Sequence, residues 1–237
     1  MKYGKRMFGD CLTLMSQIES GSIDAIITDP PYRVISDGNQ KGLSYKHKGS
    51  ITEKNDGKIF QHNDISCRDY FPEFFRVLKD NAHLYIMVNV LNLTERLTEA
   101  QKYFALHNLL VWEKQNAGPN RWYMKNAEYV LFLRKGKAFP INNMGSKTVH
   151  QFYNNVGNKL HPTEKPIELM QLYIENSSVE GEVILDPFAG SFPVAIACIN
   201  TNRKYICIEK DENYFNIGSE RIRKHIEQLN SEVKQGK

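Results

Sequence analysis

"EVILDPFAGSFPVAIACINTNRKYICIE", residues 182–209, decides the fold. A short apolar run ends in Asp186, the small-residue turn "FAGS" follows, and the apolar helix-like stretch "FPVAIAC" begins. A second apolar run then ends in Glu209, 23 positions (209 − 186) beyond the first acid. This is the pattern of a βαβ unit whose first turn lets a ligand approach the main chain. Gly190 removes a side chain where a ligand would press, and the N–H groups at a helix start are donors for an anionic group. Glu209 is placed to accept from ribose hydroxyls. The G-x-G-x-x-G fingerprint of dinucleotide binding is absent, so a different ligand is expected.

Working outward, other runs punctuate in the same way. "SIDAIITD" (22–29), "AHLYIMVN" (82–89), "EVILD" (182–186) and "KYICIE" (204–209) read as buried strands. Helical spacing appears at Phe71, Phe74, Phe75 and Leu78, and at Leu169, Met170, Tyr173 and Ile174. Thr163 suits the N-cap of the second helix, with Pro166 in its first turn. A C-terminal helix carries Phe215, Ile222, Ile226 and Leu229, and residues 231–237 read as a polar tail. Strands alternating with helices give the α/β class with a mostly parallel sheet and helices on both faces. The expectation is one catalytic domain over residues 1–230. Two polar stretches interrupt it, at about 33–64 and 134–160, and such long stretches in a compact domain are functional loops or disordered segments.

Composition narrows the class. With 237 residues, 41% hydrophobic and 24% charged, the chain suits a water-soluble globular domain with a sizeable core. No apolar run approaches the roughly 18 residues of a membrane span, and "MKYGKRMFGD" has no secretory h-region. Cys11, Cys67, Cys198 and Cys207 show no zinc spacing and read as reduced thiols of a cytoplasmic protein. His47, His62, His150 and His161 lack ligand spacing as well, so they read as solvated or loop residues, and no metal is expected. A net charge of +4 permits a nucleic-acid partner without demanding one.

"TDPPY", residues 28–32, is the second decisive stretch. An acid, two prolines and a tyrosine close a buried strand, at the strand end where open α/β sheets bind ligands. Taken with "DPFAGS", it predicts that two stretches far apart in sequence meet at one crevice.

Here the chain resembles the S-adenosyl-L-methionine-dependent DNA amino-methyltransferases, in the permuted (beta) group of the N-4/N-6 DNA methylases. The matching residues are Gly9 and Asp10, "TDPPY", "HPTEKP" (161–166), "LDPFAGS" (185–191) and "CIEKDENYF" (207–215). "EYVLFLRKG" (128–136) matches a weaker pattern near the target-base pocket. The order and spacing are specific, and the match spans most of the chain except the two polar stretches. The resemblance implies a Rossmann-like methyltransferase fold with circularly permuted motif order. Its cofactor would be S-adenosyl-L-methionine, leaving S-adenosyl-L-homocysteine as product, with no metal.

The resemblance also implies roles. Asp186, Phe188, Ala189, Gly190 and Ser191 would hold the methionine part of the cofactor, and Glu209 its ribose. Asp10, with Cys11 beside it, would take the adenine amine, while Thr163 and Lys165 would line the methionine end. Asp29 and the Pro30 carbonyl would bind the two hydrogens of the target amino group. Pro30 and Pro31 would fix the turn, and Tyr32 would stack on the flipped base. Asp at the first position favours adenine N6. N4-cytosine or RNA adenine as target, or a catalytically silent DNA-binding subunit, are the alternatives.

Double-stranded DNA is the implied partner, and a homodimer sharing the DNA-binding task fits the small size. The implied setting is a bacterial or phage-encoded, nucleoid-associated protein, in a restriction-modification or other DNA-methylation role. The expected DNA contacts are Lys41, Lys54 and Lys58 with "KHK" near residue 47, and Arg134, Lys135, Lys137, Asn142 and Asn143. Trp112 and Trp122 with Tyr123 suit either a second base platform or strand packing. One departure stands out: Phe192 and Pro193 follow "DPFAGS" where the family has Gly and a small polar residue. Phe192 either points into the core or weakens cofactor binding.

Overall fold

Six consecutive buried residues, Ile23–Thr28, form the strand at the middle of the molecule. A run with no exposed position belongs in a parallel sheet covered on both faces, and that is its setting in the computed structural model, which describes residues 3–31, 65–118, 123–153 and 165–234. The strands are β1 (Gly4–Phe8), β2 (Ile23–Thr28), β3 (Leu78–Val88), β4 (Ala105–Gly118), β5 (Lys125–Arg134), β6 (Val149–Phe152), β7 (Val183–Asp186) and β8 (Lys204–Glu209). The helices are α1 (Cys11–Met15), α2 (Cys67–Val77), α3 (Val90–Ala100), α4 (Ile167–Ser177), α5 (Pro193–Asn200) and α6 (Glu212–Lys234).

The sheet order is β1-β8-β7-β2-β3-β5-β4-β6. β5 alone runs against its neighbours; every other described pairing in the sheet is parallel. The mostly parallel α/β sheet expected from the sequence is therefore present. Side-chain alternation splits the core in two. Ala25, Ile27, Tyr85, Ile184 and Cys207 face a cluster closed by α4, α5 and α6. Ile26, Leu84, Ile86, Leu185 and Ile208 face the other, closed by α1, α2 and α3. The four cysteines are free and buried, and no helix of the described residues is long and apolar enough to cross a membrane.

Helix ends differ slightly from the sequence reading. Pro166 precedes α4 with an extended ψ of 134° and is not part of its first turn. The expected cap, Thr163, lies outside the described residues. α6 continues to Lys234, past the expected start of a polar tail. Side-chain bonds spaced three and four residues apart carry it on: Arg223 donates to Glu220 and Glu227, and Gln228 to Glu232.

Candidate active site

The strand order fixes where the acids stand. β1, β8, β7 and β2 are consecutive neighbours, and their carboxyl ends carry Asp10, Glu209, Asp186 and Asp29. Adjacent strands lie about 4.8 Å apart, so these four carboxylates form a row roughly 14 Å long on one edge of the sheet. The sequence predicted two converging stretches; the fold brings four acids into line.

Asp10 caps α1, its Oδ1 accepting from Leu12 N–H and Thr13 N–H, both at 3.1 Å. Its Oδ2 lies 3.9 Å from Lys210 Nζ. Beside it the Cys11 thiol is buried, and burial pushes it up to about 12, so it is a neutral core group. Glu209 is held at both oxygens: Oε2 accepts from Gly190 N–H at 2.7 Å and Oε1 from Asp211 N–H at 2.8 Å. Burial raises its pKa. Each carboxylate oxygen keeps a further lone pair for a ligand.

The turn between β7 and α5 is built around left-handed backbone, with φ of 51° at Gly190 and 59° at Phe192. Its Gly190 N–H serves Glu209 and Pro193 has no N–H, so fewer helix-start donors face outward than the sequence implied. Phe188 N–H donates to Asp186 Oδ1 at 3.2 Å, and the Phe188 ring meets Tyr70 edge-on at 5.5 Å. Ala189 is buried, with its N–H bonded to the Ile208 carbonyl. Ser191 is also buried, and both its carbonyl and its hydroxyl accept from Arg221 of α6. Its side chain is thus braced from behind.

Asp186 and the "TDPPY" stretch are in direct contact. Thr28 Oγ donates to Asp186 Oδ1 at 2.7 Å. Burial pushes the Asp186 carboxyl up to about 7, offset in part by the Thr28 and Phe188 bonds. Thr28 was quoted in the sequence motif without a role; its hydroxyl joins the two decisive stretches.

Asp29 sits at the end of β2. Its Oδ2 is 2.7 Å from Lys165 Nζ, while its Oδ1 is buried with no hydrogen-bond partner among the described residues. Buried acceptors are almost always satisfied, so this orphan oxygen marks the place of a missing donor. Lys165 is buried and lies 3.0 Å from Glu128 Oε2 as well, and Glu128 is paired in turn with Lys114. Burial pushes the Glu128 carboxyl up, but Lys165 and Lys114 outweigh it and hold it at about 2. Lys165, expected at the methionine end of a cofactor, therefore directs its ammonium at the acid of the "DPPY" turn. A lone lysine in "HPTEKP" carried no signal for that partner, because the partner comes from distant strands.

Pro30 and Pro31 are held by Arg96 of α3, whose Nη2 donates to their carbonyls at 3.0 and 2.7 Å. Tyr32, Thr163, the stretch 33–64, Trp122, His47, His62 and His161 lie outside the described residues. Trp112 is a core residue donating to the Phe152 carbonyl, and Tyr123 is exposed. His150 is not a solvated residue: it is buried, 3.2 Å from the Tyr173 hydroxyl. Among the described residues no cluster of His, Cys, Asp and Glu could hold a metal ion.

The departure at Phe192 is accommodated in the core. Its ring is fully buried, meets Phe215 at 5.8 Å and fills the space over Gly218 of α6. The residues expected to contact DNA after β5 have partners within the protein. Arg134, the last residue of β5, pairs with His83 midway along β3, so the chain leaves the sheet on the side away from Asp29. Arg134 caps the carbonyls of Gly136 and Lys137, Lys135 those of Phe75 and Leu78, and Asn142 those of Glu175 and Ser178. Asn143 accepts from Gly145 N–H. These polar side chains fasten a connection to the body of the protein.

Comparison with known proteins agrees with this geometry. A family model described as DNA methylase matches residues 23–220. The chain is 28% identical over 262 residues to the Type II methyltransferase M2.MboI of Moraxella bovis, covering 96% of this chain and 90% of that one. It is 26% identical over 257 residues to the Type II methyltransferase M.HinfI of Haemophilus influenzae, covering 95% and 72%. Among solved structures it superposes on the M1.HpyAVI–SAM complex with a TM-score of 0.68 at 21% identity, covering 92% of this chain and 98% of that one. It superposes on the PvuII DNA methyltransferase, a cytosine-N4-specific protein, with a TM-score of 0.69 at 17% identity, covering 92% and 85%. At such identities the two structures establish the fold.

Proposed function

The chain belongs to the DNA methylase family of N6 and N4 methyltransferases, and from that premise we propose site-specific methyl transfer to the N6 amino group of adenine in double-stranded DNA. The donor in this proposal is S-adenosyl-L-methionine, which supplies an electrophilic methyl group on a sulfonium. The observation that carries the reading is the buried, unpartnered Oδ1 of Asp29 at the end of the acid row.

The row has the length and chemistry for a nucleoside joined to an amino acid. Glu209 would take the ribose hydroxyls and Asp10 the adenine amine through the oxygen its helix cap leaves over. Asp186 and the Phe188–Gly190 turn would hold the amino-acid end. Cys11 and Ser191 would contribute main chain only, since both side chains are buried.

The amino group of adenine is a poor nucleophile because its lone pair is delocalised into the ring. Asp29 Oδ1 would accept one of its hydrogens and the Pro30 carbonyl the other, drawing the nitrogen toward tetrahedral geometry. Lys165 fixes which oxygen of Asp29 is presented by occupying the other. Tyr32 would stack on the flipped base, returning about 1–3 kcal/mol of the few spent on flipping. Positioning and charge complementarity carry the reaction without a covalent enzyme intermediate.

N4-cytosine transfer is the second reading, favoured by the likeness to the cytosine-N4-specific PvuII protein. Aspartate at position 29 supports adenine through the family resemblance. Labelled methyl transfer to duplex DNA followed by nucleoside analysis tests this: N6-methyladenine is expected, and N4-methylcytosine as sole product overturns it.

A further inference from the structure

Arg96 has no part in the sequence motifs, yet it sits directly against the catalytic turn. It lies on α3, is 4% exposed, and its guanidinium reaches three main-chain carbonyls. Nη1 donates to Met87 at 2.9 Å, and Nη2 to Pro30 at 3.0 Å and Pro31 at 2.7 Å. Met87 lies near the end of β3, whose residues pair in register with β2 up to Thr28 and Ile86. The arginine therefore ties the end of one strand to the turn that leaves the next.

The proline rings leave something for it to do. A proline fixes φ but not ψ, and ψ decides where its own carbonyl points. Two consecutive carbonyls, each on a proline, converge on one guanidinium nitrogen. The planar guanidinium holds its donors in a fixed fork, so anchoring Nη1 on Met87 also fixes where Nη2 lies. A carbonyl oxygen has two lone pairs, so Pro30 can accept from Arg96 and still accept from a substrate amino group. Burial keeps the guanidinium from DNA phosphates. A purely structural tether between α3 and β3 would be complete with the Met87 bond alone.

We propose that Arg96 is a positioning residue for methyl transfer: by fixing ψ at Pro30 and Pro31 it aims the Pro30 carbonyl at the target amino group. The inference rests on the reading of Asp29 and Pro30 as the paired acceptors. In this role Arg96 acts through the turn and not by its own contact with substrate or cofactor.

The test uses the full-length chain with Arg96→Met and Arg96→Lys. Methyl transfer is measured at saturating S-adenosyl-L-methionine and duplex DNA, beside calorimetry for the cofactor and KM for DNA. Misplacing a reacting group by about 1 Å costs on the order of a hundredfold in rate, so Arg96→Met should lose about that much kcat. Cofactor affinity and KM should stay within about threefold, because the bound groups are untouched. Arg96→Lys replaces the fork with a single point donor and should lose about tenfold. Methylguanidinium added to Arg96→Met should restore part of the rate and leave wild type unchanged.

A kcat for Arg96→Met within threefold of wild type overturns the proposal. So does a joint fall in kcat and cofactor affinity with no methylguanidinium rescue, which is the signature of a structural residue. Should Arg96→Met not fold, Arg96→Lys decides, and an unchanged kcat in that variant overturns it. The base modified by wild type tests the adenine reading separately, since the variant-to-wild-type ratio has the same meaning for either amino base.

Discussion

Replacing Gly218 with alanine tests how the fold accommodates Phe192. A Cβ added at Gly218 would lie 1.9 Å from Phe192 Cδ2 and 2.7 Å from Cε2. Ordinary contact begins at 3.4 Å, so ring or helix must give by about 1.5 Å (3.4 − 1.9). The ring is fully buried and packed against Phe215, so the cost falls at the upper end of overpacking, about 3 kcal/mol. Alanine in a helix interior recovers about 1 kcal/mol over glycine, leaving a net loss of about 2 kcal/mol. At this chain length 1 kcal/mol shifts Tm by about 2–4 °C, so Gly218→Ala should lower Tm by about 4–8 °C. In a Phe192→Ala background, itself destabilised by about 3–5 kcal/mol, the clash is gone and the same substitution should raise Tm by about 2–4 °C. Scanning calorimetry on the four proteins of the cycle measures this. A Gly218→Ala effect of the same sign in both backgrounds refutes the reasoning. Below its Tm, Phe192→Ala should also bind S-adenosyl-L-methionine within about threefold of wild type, since the ring points away from the acid row; a larger loss returns Phe192 to the cofactor site.

Three further outcomes follow from the site. Asp29→Ala should abolish methyl transfer while calorimetry still detects cofactor binding, and loss of both together would make the residue structural. Lys165→Met leaves Asp29 and Glu128 facing each other in a buried site, and removing one partner of such a network costs about 3–5 kcal/mol; urea denaturation reads this, and a change under 1 kcal/mol counts against the network. The folded state binds the Asp186 proton more tightly than the unfolded chain, burial having pushed its carboxyl up to about 7 from an ordinary 3.8. That contribution is full below pH 3.8 and lost as pH rises through about 7. The stability of wild type relative to Asp186→Asn should therefore decline between about pH 4 and pH 7, and a flat difference would mean Asp186 is ionised throughout.

The parts of the fold that the sequence disclosed are those whose signal is local. Strands ending in Asp29, Asp186 and Glu209 announce themselves by an apolar run closed by an acid, and each stands within a residue of its expected end. Hidden from the sequence were side chains whose partners lie far away along the chain. Lys165 meets Asp29 across 136 positions (165 − 29) and Thr28 meets Asp186 across 158. No spacing rule reports such pairs. The polar residues after Arg134 show the same limit: asparagine, lysine and arginine that suit DNA contacts suit carbonyl capping equally, and the carbonyls they meet lie on distant elements.

The reversed direction of β5 also explains why the turn after β2 has a cationic neighbour. Because β5 runs against β3, Tyr129 midway along β5 pairs with Val88 at the end of β3, which brings Glu128 to the carboxyl edge of the sheet. Glu128 holds Lys165 there, and Lys165 holds Asp29. With one oxygen of Asp29 bound to an ammonium and the other bare, the turn presents a single aimed acceptor. The antiparallel strand is therefore part of this arrangement: it delivers the acid, Glu128, that holds the Lys165 ammonium beside Asp29.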